Sequence, residues 1–548
     1  MSNVYQSCAE PSMSEDFEFV ERSIEDSVRV PDPDENVRFS FRTLWAYTGP
    51  GFLICIAFLD PGNIESDLQQ VTPMTKLILI DHRHKFCYLT LGSLHMATIC
   101  RREYPYIPRT ILWILVEMAI VSADIQEVIG SAIAINLLTY NFVPIWLGVI
   151  LTGLDTFTFL LLESYGLRKL EALFGAFVTI MVITFWYMCF AASPNILLML
   201  KGTIVPWCSN CHSSDAVQGL GIIGSVIMPH NLYLHSALVL SRKVDRNRRK
   251  NVKEANFYFA IESSIALFIS FLINIAIVAV FANAANDKDA TLQRASIWIR
   301  EHYGEFVVIL WGIGLLASGQ SSTMTGTYVG QFVMEGFLGI SWPKWRRVLF
   351  TRTIAITPTI FVALFALQSL NELSELLNVL QSCLLPFAII PLLGFLGISW
   401  PKWRRVLFTR TIAITPTIFV ALFALQSLNE LSELLNVLQS CLLPFAIIPL
   451  LVFTSKRRIM GEFVNNWFNK ALSYTLCIVL IGINIFSVYI SMKSLHLSVF
   501  LVVLIEIFTF IYTFFILYIM FGVEPWAHWL HSCFPRYFGR PGIRLVYT

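Results

Sequence analysis

The sequence predicts an all-α, multi-span membrane protein. Of its 548 residues, 56% are hydrophobic and only 14% charged, whereas soluble domains carry about 25% charged residues. The apolar excess falls in blocks of roughly twenty residues, the length that crosses a hydrocarbon core. Basic residues recur at every second loop between these blocks, the signature of a chain threaded back and forth. The net charge of +2 and the lack of a basic, aromatic-interleaved patch argue against a nucleic-acid partner.

Residues 1–40 form an acidic tail (Glu15, Asp16, Glu18, Glu21, Glu25, Asp26, Asp32, Asp34, Glu35), expected to be disordered and cytoplasmic. Met1–Asn36 lacks any apolar run, so no cleavable signal peptide is expected. The membrane domain covers 41–521, and 522–548 is a C-terminal tail. Candidate spans are 44–66, 110–138, 143–163, 173–193, 217–240, 256–282, 305–327, 351–368, 375–395, 409–426, 433–453, 470–492 and 496–521. The run from Arg242 to Lys250 carries six basic residues, the strongest inside signal. Arg168-Lys169, Lys344 with Arg346-Arg347, and Lys456-Arg457-Arg458 fall on the same side. The opposite loops, 139–144 and 193–216, are poor in Lys and Arg.

Two irregularities interrupt this order. An inside N-terminus and an inside start for the 110–138 span require a further crossing in 68–100. Asp81-His82-Arg83-His84-Lys85 sits in the middle of that stretch. Each such charge costs about 2.5–3.5 kcal/mol at a bilayer centre, so 71–99 reads as a damaged span. Secondly, residues 394–451 repeat residues 336–393 letter for letter, 58 residues each. Each copy holds two spans, so the extra copy preserves the orientation of every later span, and the bundle has room for one.

The first span ends Ala57-Phe58-Leu59-Asp60-Pro61-Gly62-Asn63. An Asp deep in an apolar run points to function. Pro61 removes a backbone donor and Gly62 permits unusual dihedrals, so the helix should unwind and expose carbonyls beside the carboxylate. About 168 residues later, Ser225-Val226-Ile227-Met228-Pro229-His230-Asn231 repeats the pattern of ligand, proline and asparagine. A single proline kink is common in membrane helices. Two matched breaks in corresponding five-span halves point to a transport site at the midplane. Asp60 and Asn63 offer hard oxygens and Met228 a soft thioether, a mixture that suits manganese or ferrous iron better than magnesium or calcium.

Asp124 and Glu127, three residues apart, share one helix face. They suit a proton relay, or an ion pair with Arg352 or its copy Arg410. His230 and His235 stand about 140° apart on a helix, too far around to share one metal, and His230 reads as a proton carrier or structural donor. No His-Glu-x-x-His, nucleophile–base set or cofactor loop is present, so an enzyme is not expected. Of eleven cysteines, only Cys208 and Cys211 lie in a polar stretch, where a loop disulfide or free thiols are expected before a metal site.

Asp60-Pro61-Gly62-Asn63 and Met228-Pro229-His230 resemble the paired signatures of the Nramp family of proton-coupled divalent-metal transporters, animal-type members above all. The stretch Gly319–Tyr328 resembles a loop motif of that family, and the likeness extends over most of 40–70 and 100–500. The resemblance implies a leucine-transporter-like inverted-repeat (5+5) bundle with C-terminal helices, here with one damaged span and one duplicated hairpin. It implies metal ligands at Asp60, Asn63, Met228 and the carbonyls of Ala57 and Ser225, with Gln381 or Gln439 approaching in another state. It implies a proton route through His230, Asp124, Glu127, His235 and Arg352 or Arg410. Mn2+ or Fe2+ and H+ would then be cargo, with no permanent cofactor and the lipid bilayer as surroundings. The plasma membrane or an endosomal or lysosomal membrane would suit such a protein. Departures from the family are the missing second span, the doubled hairpin, a short loop near 283–304 and the lack of any Asn-x-Ser/Thr acceptor. A sodium-coupled amino-acid carrier is disfavoured because Asp60 would repel a substrate carboxylate. An inactive membrane scaffold of the same family is the alternative.

Overall fold

The computed structural model describes residues 28–31, 39–56, 58–68, 94–145, 147–153, 167–194, 197, 228–244, 248–281, 292–339, 437–460, 464–494 and 499–521. The elements are β1 (Val28–Arg29), α1 (Phe41–Tyr47), α2 (Pro50–Ile56), α3 (Pro61–Leu68), α4 (Met96–Glu103), α5 (Tyr106–Leu138) and α6 (Leu167–Ala192). They continue with α7 (Pro229–Val239), β2 (Arg242–Lys243), α8 (Arg249–Phe281), α9 (Leu292–Tyr303) and α10 (Glu305–Leu338). Last come α11 (Pro444–Ser455), α12 (Arg457–Met460), α13 (Trp467–Ser494) and α14 (Val499–Phe521). Among the described residues, four helices are long and apolar enough to cross a membrane: Arg168–Ala192, Lys250–Phe281, Glu305–Leu338 and Val437–Ser455. In lipid, a helix satisfies its own backbone, which is why helices dominate here.

The centre of the bundle is the long pair α5 and α10, which pack along each other. Small residues permit that closeness. A Cβ at Gly319 would collide with Ser131, and one at Gly326 would sit 2.6 Å from Asp124 Oδ1. The stretch Gly319–Tyr328, nearly all of it inside the expected 305–327 span, is part of this helix. Its hydroxyls fold back onto the helix's own carbonyls: Ser322 donates to Ser318, Thr325 to Ser321 and Thr327 to Thr323, each at 2.9 Å. Around the pair lie α2, α4, α6, α7 and α9, while α13 and α14 hold α11 from outside. Apolar residues such as Ile183, Phe190, Phe268, Phe510 and Ile511 face outward, as expected where the surroundings are hydrocarbon.

Several boundaries differ from the sequence reading. The 44–66 span is three short helices, with α1 ending before Gly49, whose φ of +146° is open to glycine. The span expected to start at 110 begins at Tyr106, and the one expected to end at 327 runs to Leu338. The 283–304 loop contains α9, stapled to the start of α10 by Arg300 and Glu305 at 2.7 Å. Within the damaged 71–99 region, residues 96–99 are the buried first turn of α4, whereas 71–93 lie outside the described residues. So do the spans 351–368, 375–395 and 409–426, and Cys208 and Cys211. Inside the tail expected to be disordered, β1 forms a parallel ladder with β2, and the Val28 amide donates to the Ser241 carbonyl at 2.8 Å. The N-terminal segment therefore lies beside the start of the basic 242–250 run.

An ionic layer, buried at Arg242, Glu171 and Glu262 and exposed at Arg168, surrounds the α1–α2 junction. Arg242, fully buried, donates to Glu171 Oε1 at 2.7 Å and to the Thr48 carbonyl at 2.8 Å. Arg168 binds the other Glu171 oxygen at 3.2 Å and the carbonyls of Ala46 and Thr48. Glu262 accepts from the amides of Gly49 (2.5 Å) and Gly51 (2.8 Å) at the start of α2.

Candidate metal site

The first helix breaks where Asp60-Pro61-Gly62 predicts. α2 ends at Ile56 and α3 begins at Pro61. Between them the amides of Phe58 and Leu59 reach back only three residues, to Cys55 (3.1 Å) and Ile56 (2.8 Å), and Pro61 has no amide hydrogen. The freed carbonyls are caught from the side. Phe58 O accepts from Asn63 Nδ2 and from Asn274 Nδ2 of α8 (3.3 Å), and Leu59 O accepts from Ser318 Oγ of α10. Asp60 and Asn63 are fully buried, and Asp60 Oδ2 accepts from the Gly62 amide at 3.2 Å. Asn63 Oδ1 and Asn274 Oδ1 have no hydrogen-bond partner among the described residues.

Met228 is the N-cap of α7, in extended conformation, with Pro229 opening the helix, and the rest of the expected 217–240 span before it lies outside the described residues. Proline suits that position because its missing amide hydrogen would be unpaired anyway. Met228, His230 and His235 are all buried. α7 packs against α2, α5, α10 and α11, so it belongs to the same packed centre as the first break. The predicted carbonyl ligands Ala57 and Ser225 lie outside the described residues.

α5 contributes Asp124, Gln126 and Glu127, all buried. Asp124 and Glu127 face α10 at Gly326, 2.6 and 3.5 Å from where a Cβ would stand. Gln126 faces the first break instead, 2.6 Å from a Cβ at Gly62. Gln439 is fully buried, and its Nε2 donates to Gln126 Oε1 (3.1 Å) and Ser122 Oγ (3.4 Å). Gln439 belongs to the second hairpin copy, so that copy's last helix fills the bundle. Gln381, Arg352 and Arg410 lie outside the described residues.

Sequence reasoning missed Gln126, Asn274 and Ser318. Gln126 and Asn274 are amides in long apolar helices, a signal as strong as the carboxylates beside Gln126. Ser318 gave no signal, since serine is common in helix–helix contacts. Among the described residues no three His, Cys, Asp or Glu side chains come together. The donors on offer are one carboxylate, amide and backbone oxygens, and one thioether, which tolerate a cation that must also leave.

Comparison with known proteins agrees with this architecture. The Nramp family model, described as natural resistance-associated macrophage protein-like, matches residues 91–397 and 393–490. Protein Malvolio of Drosophila melanogaster is 42% identical over 90% of this chain and 81% of its own length. Natural resistance-associated macrophage protein 2 of Homo sapiens is 46% identical over 72% of this chain and 77% of its own. The crystal structure of an Eremococcus coleocola manganese transporter mutant superposes with a TM-score of 0.70 at 26% identity, covering 90% of this chain and 97% of that one. The two family matches meet at the duplication, and the first begins at residue 91, just before α4. The chain is an integral membrane protein and belongs to the Nramp family.

Proposed function

We propose that this chain is a secondary active transporter that carries Mn2+ or Fe2+ across a membrane together with protons. The observation that supports it most is the first break, where a fully buried carboxylate sits beside carbonyls freed from the helix and braced by Asn274 and Ser318. A dry carboxylate is costly unless a cation or proton meets it. In this reading Asp60, Asn63, Met228 and the carbonyls of Ala57 and Ser225 hold the cation, with Gln439 closing on it in another state. The manganese transporter that this fold matches supports the choice of ion.

Protons take a separate route. Asp124 and Glu127 sit on the α10 side of α5, and His230 and His235 lie on α7. His230 Nδ1, without a hydrogen-bond partner among the described residues, is open to a proton. Arg352 or its copy Arg410 completes the route as the balancing cation. The basic 242–250 run faces the cytoplasm, and β1 keeps the N-terminal segment on that side. The plasma membrane or an acidic endosomal or lysosomal membrane suits such a carrier. The inactive-scaffold alternative is not favoured, because the first break, the Met228 cap of α7 and the buried α5 carboxylates are in place.

Reconstituted vesicles test this directly. Manganese uptake is expected to rise when the outside is acidified at fixed membrane potential, and to carry protons inward. Uptake equal at acidic and neutral outside pH would sink the proton coupling.

A further inference from the structure

We propose that Gln126 is the positioning residue that aims the carbonyl oxygen of Gln439 at the cation, and that the second hairpin copy alone supplies this glutamine. The inference rests on the metal-site reading above. A glutamine amide has one donating and one accepting end. The donating end of Gln439 is bound by two oxygens of α5, Gln126 Oε1 and Ser122 Oγ. Those residues are four apart and share a helix face. The accepting end, Oε1, is buried and has no hydrogen-bond partner among the described residues. A buried oxygen in that condition is an open ligand position.

Gln126 also touches the break. A Cβ at Gly62 would lie 2.6 Å from Gln126 Oε1 and 3.1 Å from Asp60 Oδ2. One side chain thus stands at the backbone next to Asp60 and orients Gln439. Because Gln126 fixes which end of the Gln439 amide is occupied, it sets the ligand without touching the metal.

The copies are identical in sequence, so only their places in the chain can separate them. The second copy is continuous with α12 and α13 through a short link, and α13 and α14 lock it. Ser440 and Asn484 exchange two hydrogen bonds of 2.8 Å, and Tyr512 donates to the Cys441 carbonyl at 2.9 Å. The place opposite Ser122 and Gln126 is therefore taken by the second copy.

A double-mutant cycle on the full chain in vesicles tests this, with manganese as the probe. Gln126→Leu is expected to raise KM about tenfold, the scale of residues that orient metal ligands, with the maximal rate less affected. Gln126→Glu keeps an acceptor oxygen and should retain most of the affinity. Gln126→Leu should add nothing to Gln439→Ala, whereas Gln381→Ala should transport like the parent chain in either background. Additive effects of Gln126→Leu and Gln439→Ala would overturn the positioning role. Should Gln126→Leu fail to fold, Gln126→Glu carries the test, and a KM raised in it as far as in Gln439→Ala would overturn the role. A loss on Gln381→Ala equal to that of Gln439→Ala would overturn the choice of copy. Manganese transport surviving Asp60→Ala would instead overturn the underlying site, whatever the cycle shows.

Discussion

The layer around the α1–α2 junction and the layer around the first break and the Met228 cap are both largely buried and polar, yet they are finished differently. In the first, opposite charges meet within the chain: Arg242 and Arg168 share Glu171, and Glu262 takes two backbone amides, with only Arg242 Nε and Glu262 Oε2 left over among the described residues of that layer. In the second, acceptor oxygens of Asn63, Asn274 and Gln439 are left over among the described residues, beside a carboxylate that accepts from a backbone amide. Paired opposite charges hold structure, whereas the neutral surplus acceptors beside Asp60 wait for something that comes and goes. The difference separates a clasp from a cargo site.

The sharpest way to break this contrast is Asp60→Ala. Manganese uptake should fall to background while the thermal midpoint of the purified protein stays near that of the parent. The clasp should behave the opposite way. Arg242→Met strands the Glu171 carboxylate and is expected to cost about 3–5 kcal/mol of stability, read as a lowered thermal midpoint. Adding Glu171→Leu removes the stranded charge and should recover much of that loss. If the double change were as unstable as the single one, the pair would not be the clasp. Met228→Leu should fold normally and shift only selectivity, letting calcium compete better with manganese in uptake assays. The smallest effect is expected from excising 58 residues. Removing 336–393 or 394–451 leaves the same polypeptide, so one deletion variant suffices, and its uptake per folded protein should match the full chain.

Much of this arrangement could be read from the letters, for physical reasons. The Asp60 break was legible because proline and glycine act on the backbone they belong to, and Met228-Pro229 likewise. The spans 173–193, 256–282, 470–492 and 496–521 were legible, as helices α6, α8, α13 and α14, because hydrocarbon demands long apolar runs. Gly319–Tyr328 stays helical despite its glycine, serine and threonine, which favour loops in water, because lipid leaves the backbone no partner but itself. The bracing of Phe58 and Leu59 was hidden because Asn274 and Ser318 are more than two hundred residues away in sequence. No letter could tell Gln439 from Gln381, since the contacts that seat one of them come from α13 and α14.

The ladder between β1 and β2 reads main chain only. Its anchoring hydrogen bond comes from the Val28 amide to the Ser241 carbonyl. Nearly any amino acid at position 28 can make that bond, so the tether is indifferent to most substitutions. Proline, with no amide hydrogen, is the exception, and would remove that tie between β1 and β2 without altering a single charge.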